Sequence, residues 1–314
     1  MVTCSITFIA SCSVGEDNAR SRMAERFAFR RSTQRALVRE LGSSDHVAIG
    51  DDLAKDLDSI RFLVPLPPDE RACWMRRLHW IRAADRLAEN ERLHPGDTRF
   101  SDLLDAWQMA QRGRRLARGC RDAELVREVK RELRKQPLAL EAFSGYLEAL
   151  DEYTWRDVSI ATLAEHDAML DRISGNLFAF MPYLTQAQRR TIRGFGMLDH
   201  FYNNLRDLAE DGAQRICYFP RNVLAKFGID ERDVKTGAAV GRPSWLALMH
   251  FWLDEYLPTV RERARPFLED RQLAPSVAGM RADFLGRYAR ILFHFRDSGF
   301  DPAMFARRYW QGLG

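Results

Sequence analysis

The sequence predicts an all-α protein, on three observations. Ala, Leu, Arg and Glu recur along the 314 residues, and all four are strong helix formers. Runs in which β-branched residues alternate with polar ones are almost absent, so the pattern typical of strands is missing. After residue 50, apolar residues recur at the spacing of amphipathic helices, and prolines and glycines separate the segments as they do at helix ends.

Composition narrows the class of protein. With 46% hydrophobic residues and no linker-like tract after residue 50, residues 51–314 are expected to fold as a single domain. Charged residues of both signs are interspersed, and the net charge is only +4. That balance is too weak and too mixed for nucleic-acid binding, but it suits a protein that handles anionic phosphates or contacts an acidic membrane surface.

The cysteines and the apolar runs indicate the cellular location. The cysteines are scattered and form no C-x-x-C pair: Cys4, Cys12, Cys73, Cys120 and Cys217. This argues against a disulfide framework and against zinc, and fits a reducing cytosol. No run approaches the ~18 apolar residues of a membrane span, and Ile6–Ala10 is too short for a signal-peptide core. We expect a cytoplasmic protein, with peripheral membrane contact for product release left open.

The first 50 residues differ from the rest. Residues 1–15 are rich in Ser and Cys, Ala19–Leu41 is rich in Arg, and Gly42–Gly50 has the composition of a loop. We interpret residues 1–50 as an N-terminal extension, disordered over part of its length and dispensable for folding.

From residue 51 onward the pattern predicts helices separated by breaks. A helix over Leu53–Phe62 precedes a proline-rich break, and Asp69 and Glu70 suit the start of the next. The later helical or apolar segments are Phe100–Arg118, Ala123–Lys135, Leu138–Glu152, Val158–Leu170, Ile173–Pro182, a helix from Thr185 to the acidic stretch, Asn222–Phe227, Trp245–Leu257, Val260–Leu268, Val277–Phe295 and Phe300–Trp310.

The acidic stretch carries the chemistry. Asn203, Asp207 and Asp211 are four residues apart, so on a helix they share one face. Like charges at this spacing repel each other, and Asp207→Asn is therefore expected to leave folding unchanged or slightly improved. A solvated acidic face is one interpretation. The apolar surroundings favour the other, in which the oxygens hold Mg²⁺ together with a phosphate.

A second acidic pair lies upstream. Asp85 and Glu89 are also four residues apart, with Arg82 about one turn earlier. Two such pairs facing one another across a cavity can hold several Mg²⁺ ions that polarise a diphosphate leaving group. Apolar and aromatic walls would then shelter the carbocation that remains.

These residues resemble the motifs of the squalene/phytoene synthase family. Arg82–Glu89 is similar to R-x-x-D-x-x-x-D with Glu at its last position, and Asn203–Asp211 is similar to the second aspartate-rich motif. Tyr218–Pro220 matches the Y-L-P that follows it. Ser59 with the Pro65–Pro68 break resembles the family's entry segment. Near the end of the chain, Tyr288 and the Phe305-Ala-Arg307 run resemble its closing helices, so the resemblance covers roughly residues 55 to 310.

The resemblance implies a single-domain helical isoprenoid synthase fold around a central hydrophobic cavity. It implies that Asp85, Glu89, Asp207 and Asp211, supported by Asn203, ligate Mg²⁺. It further implies substrate contacts, which would come from Ser59, Arg82, Asn203, Arg206, Tyr218, Tyr288 and Arg307. NADPH would be needed only if the product is squalene.

Three departures bear on the product. His200 replaces a glutamine of the family, and a core or capping role is favoured over a catalytic one, although its position on the helix points it toward the site. The segment Ala164–Gly175 lacks the family's tyrosine, for which His166 or another polar side chain could substitute. Arg215 lies one residue before the position that the arginine of the family's G-R-x-Y-L-P motif would occupy. Head-to-head condensation of two farnesyl or geranylgeranyl diphosphates is the leading hypothesis. A terpene synthase acting on one prenyl diphosphate and a non-catalytic prenyl-diphosphate binder are the alternatives, and the oligomeric state is left open.

Overall fold

The computed structural model describes residues 35–37, 39, 52–94, 96–116, 119–153 and 158–311. Throughout these ranges the regular elements are helical, and the β-type contact is an isolated bridge between Ser159 and Cys217. The all-α prediction is confirmed. Much of the predicted extension over residues 1–50 lies outside the described residues, but Leu37 is described and is buried in the core.

The helices alternate with short connections. In chain order they are α1 Asp52–Ser59, α2 Pro68–Leu93, α3 Arg99–Gln111, α4 Ala123–Leu133, α5 Pro137–Tyr153, α6 Leu163–Leu170, α7 Asn176–Ala179, α8 Gln186–Ala213, α9 Arg221–Lys226, α10 Glu231–Lys235, α11 Pro243–His250, α12 Leu257–Leu268, α13 Pro275–Asp297 and α14 Pro302–Gln311. A 3₁₀ turn, Arg61–Leu63, follows α1. Two π-helical segments, Asp171–Gly175 and Phe251–Tyr256, join α6 to α7 and α11 to α12 without a break.

Several boundaries differ from the sequence prediction for local reasons. The helix expected over Phe100–Arg118 ends at Gln111, because Gly113 takes a left-handed conformation with φ 70°. The segments predicted separately on either side of Pro258 form one continuous helical run. Pro258 lies two residues after the π segment, whose wide turn already shifts the helical hydrogen-bond pattern, so the run continues past a residue that has no N–H to donate.

Helix α8 is the central element, and its start is defined by the sequence. Thr185 accepts a hydrogen bond from the Gln188 backbone at 3.2 Å, while the Gln188 side chain accepts one from the Thr185 backbone at 3.0 Å. This capping box satisfies two N–H groups that a helix start leaves without partners. The helix then packs against α12, α13, α14 and the π segment Asp171–Gly175.

Two glycines let α8 approach its neighbours at backbone distance. A Cβ on Gly194 would lie 2.1 Å from the Arg263 carbonyl oxygen, and one on Gly196 would lie 2.2 Å from that of Ser174. No side chain fits at either position. The glycines therefore fix how deeply α8 sits between α12 and the π segment, and so where its acidic face points.

No helix in the described part of the chain is both long enough and apolar enough to cross a membrane.

Candidate active site

Both predicted acidic pairs line one cavity of about 270 Å³. Helix α2 contributes Asp85 and Glu89, and α8 contributes Asp207 and Asp211. The other predicted site residues that line it are Ser59, Arg82, Asn203, Arg206 and Tyr218. Periodicity alone placed each pair on a helix face, and the packing of α8 among its neighbours brings the two faces to the same space.

Cations hold Asp207 firmly. Arg206 donates to both of its carboxylate oxygens, at 2.8 and 2.6 Å, and the Lys55 ammonium lies 3.8 Å away while contacting Glu210 at 2.7 Å. Burial pushes the pKa of Asp207 upward, but the charge and hydrogen bonds of Arg206 more than offset this, so the pKa is lowered. Sequence reasoning missed Lys55, although it lies four residues before Ser59 and hence on the same face of α1.

The remaining carboxylates lie in a different electrostatic setting. Burial and the neighbouring Asp207 charge raise the pKa of Asp211 well above its ordinary value. Burial, followed by the charge of Asp85, raises the pKa of Glu89 to about 8. Arg82 pairs with Asp85 at 3.1 Å. Asp211 and Glu89 are thus acidic groups that a cation would stabilise in the charged form.

Asn203 is aimed into the site by Asp199, which the sequence analysis did not single out. The Asn203 amide nitrogen donates to Asp199 at 3.0 Å, and its Oδ1 is buried with no hydrogen-bond partner. Asp199 also accepts hydrogen bonds from Arg287 and, at 2.9 Å, from Tyr288, and Arg287 donates to Ser59 at 3.1 Å. The four-residue spacing to Asn203 was the one available signal for Asp199.

Two predicted substrate contacts do not reach the cavity. The Tyr288 hydroxyl donates a hydrogen bond to Asp199, and the Tyr288 ring stacks on Tyr202 with centroids 4.5 Å apart. Arg307 is exposed, because α14 turns Phe305 and Tyr309 inward and residue 307 falls on the opposite face. Tyr288 therefore belongs to the network that orients Asn203, and Arg307 lies on the outer surface.

The segment without the family's tyrosine forms α6 and the π segment. His166 is fully buried and hydrogen-bonded to Tyr256, and it does not line the acidic cavity itself. Tyr146 and Tyr153 of α5 line that cavity instead, although no sequence signal singled them out. His200 lines it too, 2.8 Å from the Ser174 hydroxyl, and burial lowers its pKa to about 4 despite nearby Asp199 and Asp207.

The donor set fits a hard divalent cation. Within the described residues, no three His, Cys, Asp or Glu side chains are close enough together to form a metal site on their own. The acidic pairs and the Asn203 amide oxygen do supply the all-oxygen ligands that Mg²⁺ prefers. The buried Asn203 Oδ1 without a partner and the raised pKa values of Glu89 and Asp211 fit such an ion. Phosphate oxygens would have to complete its coordination.

Comparison with known proteins agrees with this geometry. The family model for squalene/phytoene synthase matches residues 65–312. The chain belongs to the squalene/phytoene synthase family. One relative is a 15-cis-phytoene synthase from Synechocystis sp., 27% identical over 222 residues, a stretch that covers 66% of this chain and 61% of the relative. The resemblance seen in the motifs and the isoprenoid synthase fold expected from it are therefore confirmed at the level of the family.

Proposed function

We propose that this squalene/phytoene synthase family member is a Mg²⁺-dependent prenyltransferase. It would join two allylic prenyl diphosphates, farnesyl or geranylgeranyl, head to head. The observation that carries the proposal is that two acidic pairs from α2 and α8, each accompanied by an arginine, line a single cavity. Family membership and the phytoene synthase relative support the same reaction.

The cationic side chains would bind the diphosphate. Arg82 and Arg206 are paired with Asp85 and Asp207, and guanidinium groups bind phosphate oxygens with comparable geometry. Lys55 would supply a third positive charge from α1. We expect these side chains to exchange carboxylate partners for diphosphate oxygens, which frees the carboxylates for metal ligation.

Mg²⁺, held by Asp85, Glu89, Asp207, Asp211 and Asn203, would supply the Lewis acidity that stabilises diphosphate as it departs. Asp199 would keep the Asn203 amide oxygen turned toward the cavity, because it binds the amide nitrogen. The neutral His200 ring and the Ser174 hydroxyl would present no competing charge beside the acidic face of α8.

The wall between the acidic pairs would shelter the carbocation. Tyr146 and Tyr153 line it together with apolar side chains of α2, α5 and α7, namely Ile81, Leu150 and Leu177. Aromatic faces attract cations, by about 0.5–2 kcal/mol depending on desolvation. Tyr146, which is almost fully buried, would take the place of the tyrosine missing from Ala164–Gly175.

The small volume of the cavity favours the second candidate function, a terpene synthase that acts on one prenyl diphosphate. A volume of about 270 Å³ lies just below the usual range of small-molecule sites, roughly 300–1,000 Å³. It would suit one prenyl chain better than two. Head-to-head coupling therefore requires the cavity to widen as the second substrate enters.

Incubation with each prenyl diphosphate and Mg²⁺, with and without NADPH, separates these functions. The measurements are diphosphate release and the masses in the organic extract, with a chelator as the metal-free control. C30 or C40 chains are expected, and NADPH should alter the product only if that product is squalene. Extracts containing only C15 or C20 alcohols and cyclic hydrocarbons would establish the terpene synthase instead. Binding without diphosphate release would establish the non-catalytic binder.

A further inference from the structure

A second, smaller cavity adjoins the acidic one. Its volume is about 20 Å³, and its walls are mostly apolar, formed in part by Leu205, Phe219 and Trp252. Asn204, Asp211 and Tyr218 line both cavities. A cavity needs roughly 10–15 Å³ by this measure to hold one water molecule, and a water stays only where polar partners meet it.

His166 presents a hydrogen-bond acceptor to this cavity. Its Nδ1 lies 2.8 Å from the Tyr256 oxygen, and Tyr256 donates its single proton to Asp167 at 2.6 Å. The Tyr256 oxygen must therefore accept from Nδ1–H, which leaves Nε2 with a lone pair. Nε2 is buried and has no hydrogen-bond partner, in a side chain that is fully buried.

The proton on Tyr256 is fixed by the charge next to it. Burial alone would push the pKa of Asp167 upward, but hydrogen bonds from Arg263 and Tyr256 lower it. Arg263 donates to Asp167 at 2.6 Å, so this carboxylate is an ionised acceptor. Burial also lowers the pKa of His166 to about 3, which keeps the imidazole neutral near pH 7.

Asn204 presents a donor to the same cavity. Its Nδ2 is buried and has no hydrogen-bond partner. A buried polar group without a partner costs about 1–3 kcal/mol, so the two groups together represent a substantial penalty. One water that donates to His166 Nε2 and accepts from Asn204 Nδ2 satisfies both.

We propose that this cavity binds a water molecule between His166 and Asn204, and that this water captures the carbocation formed in the adjoining cavity, so that the coupled C30 or C40 product leaves as an alcohol. The second half of this proposal rests on the proposed function. It assigns a product class to the same site. A carbocation in the acidic cavity can lose a proton to give an alkene or can be captured by water to give an alcohol, and a water bound next to that cavity favours the alcohol.

The step balances without a reductant. The C–O bond to diphosphate has already broken, with its electron pair leaving on oxygen. A lone pair of the bound water forms the new C–O bond to the cationic carbon. One O–H bond breaks, its electrons remain on oxygen, and the proton goes to His166 Nε2. The Nδ1 proton can then pass to Tyr256 and the Tyr256 proton to Asp167, a carboxylate that is partly exposed.

A high-resolution crystal structure of the full chain tests the water site independently of activity. We expect density for one water within hydrogen-bond distance of both His166 Nε2 and the Asn204 amide. In His166→Asn the new amide nitrogen can replace Nδ1 as donor to Tyr256 while the Nε2 acceptor is lost, so the water should disappear from a folded protein. A dry cavity in the wild type would overturn the proposal.

Reaction in ¹⁸O-labelled water tests the chemistry. The alcohol should carry one solvent-derived ¹⁸O, and His166→Asn and Asn204→Leu should each lower the ratio of alcohol to hydrocarbon at least tenfold while diphosphate release persists. His250→Asn, at an exposed histidine, is the control and should keep the wild-type ratio. Unlabelled product, or an unchanged ratio in both variants, overturns the capture step. Absence of diphosphate release in the wild type instead refutes the proposed function, and the crystal structure still decides the water site.

Discussion

The contrast between Asp207 and Asp211 gives the sharpest test of the site. Both are acidic residues on one face of α8, and neutralising either to Asn changes shape very little. Asp207 is held by Arg206 through two hydrogen bonds, and the exposed fractions of the Arg206 and Asp207 side chains are 7% and 18%. For Asp211, burial and the Asp207 charge act against ionisation. The two substitutions should therefore have opposite effects on folding.

The magnitudes follow from these partners. Removing one member of a buried ion pair costs about 3–5 kcal/mol, and the oxygen that Asn retains should reduce this to roughly 2–4 kcal/mol for Asp207→Asn. We expect Tm to fall by about 3–6 °C, because a chain of 314 residues has a large entropy of unfolding. This corrects the expectation from spacing alone, in which Asp207→Asn would relieve repulsion. The relief belongs to Asp211→Asn, which should leave the free energy of unfolding unchanged or raise it by up to about 1 kcal/mol.

The sign of the pH dependence follows from linkage. A carboxyl group whose pKa is raised in the folded state binds its proton more tightly there than in the unfolded chain. Wild-type stability should therefore fall as pH rises above the unfolded value of Asp211. Asn has no such titration, so the stability gain in Asp211→Asn should grow with pH.

The assay is thermal unfolding of wild type and both variants in chelator, followed by Mg²⁺-dependent diphosphate release below their transitions. Both variants should lose about 10²–10³ in rate, as expected when one well-placed electrostatic group is removed. Equal destabilisation by the two substitutions would show that Arg206 does not discriminate between the carboxylates. Full activity in Asp207→Asn would show that the acidic face is merely solvated.

Four further outcomes are expected. Burial lowers the pKa of folded His166 to about 3, so between pH 7 and pH 5 the unfolded chain takes up a proton at this residue and the folded chain does not. The free energy of unfolding, measured by denaturant titration, should therefore fall by about 2 kcal/mol more in wild type than in His166→Asn over this range. Asp199→Leu should lower both stability and apparent Mg²⁺ affinity, the latter measured by calorimetry, because Asn203 loses its orienting partner; unchanged metal affinity would contradict the role. Gly196→Ala should yield little folded protein on expression, since its Cβ would meet a carbonyl oxygen at 2.2 Å. A chain beginning at residue 51 should melt earlier than one beginning at residue 34, because it lacks the buried Leu37, and equal midpoints would restore the view that residues 1–50 are dispensable.

Local pattern determined the fold class and the two acidic faces. Helix-forming composition and three- to four-residue periodicity depend only on near neighbours, so the sequence alone predicts the all-α class and the helix faces that carry Asp85, Glu89, Asp207 and Asp211. The motifs around these residues also led to the family. Boundaries at Gly113 and Pro258 were harder to predict, because they depend on how a single turn is accommodated.

Tertiary structure decided which charges are satisfied. Their spacing in the sequence makes Asp207 and Asp211 look equivalent. In the folded chain Arg206 and Lys55 contact Asp207, whereas burial raises the pKa of Asp211. The partner that orients Asn203 is itself fixed by Arg287, 88 residues away in the chain. Burial and long-range partners set the pKa values and the unpaired polar atoms, and neither property is carried by the periodicity of one helix. The cavity between His166 and Asn204 exists because α6 and α8 meet in the folded chain. No local sequence pattern could therefore predict it.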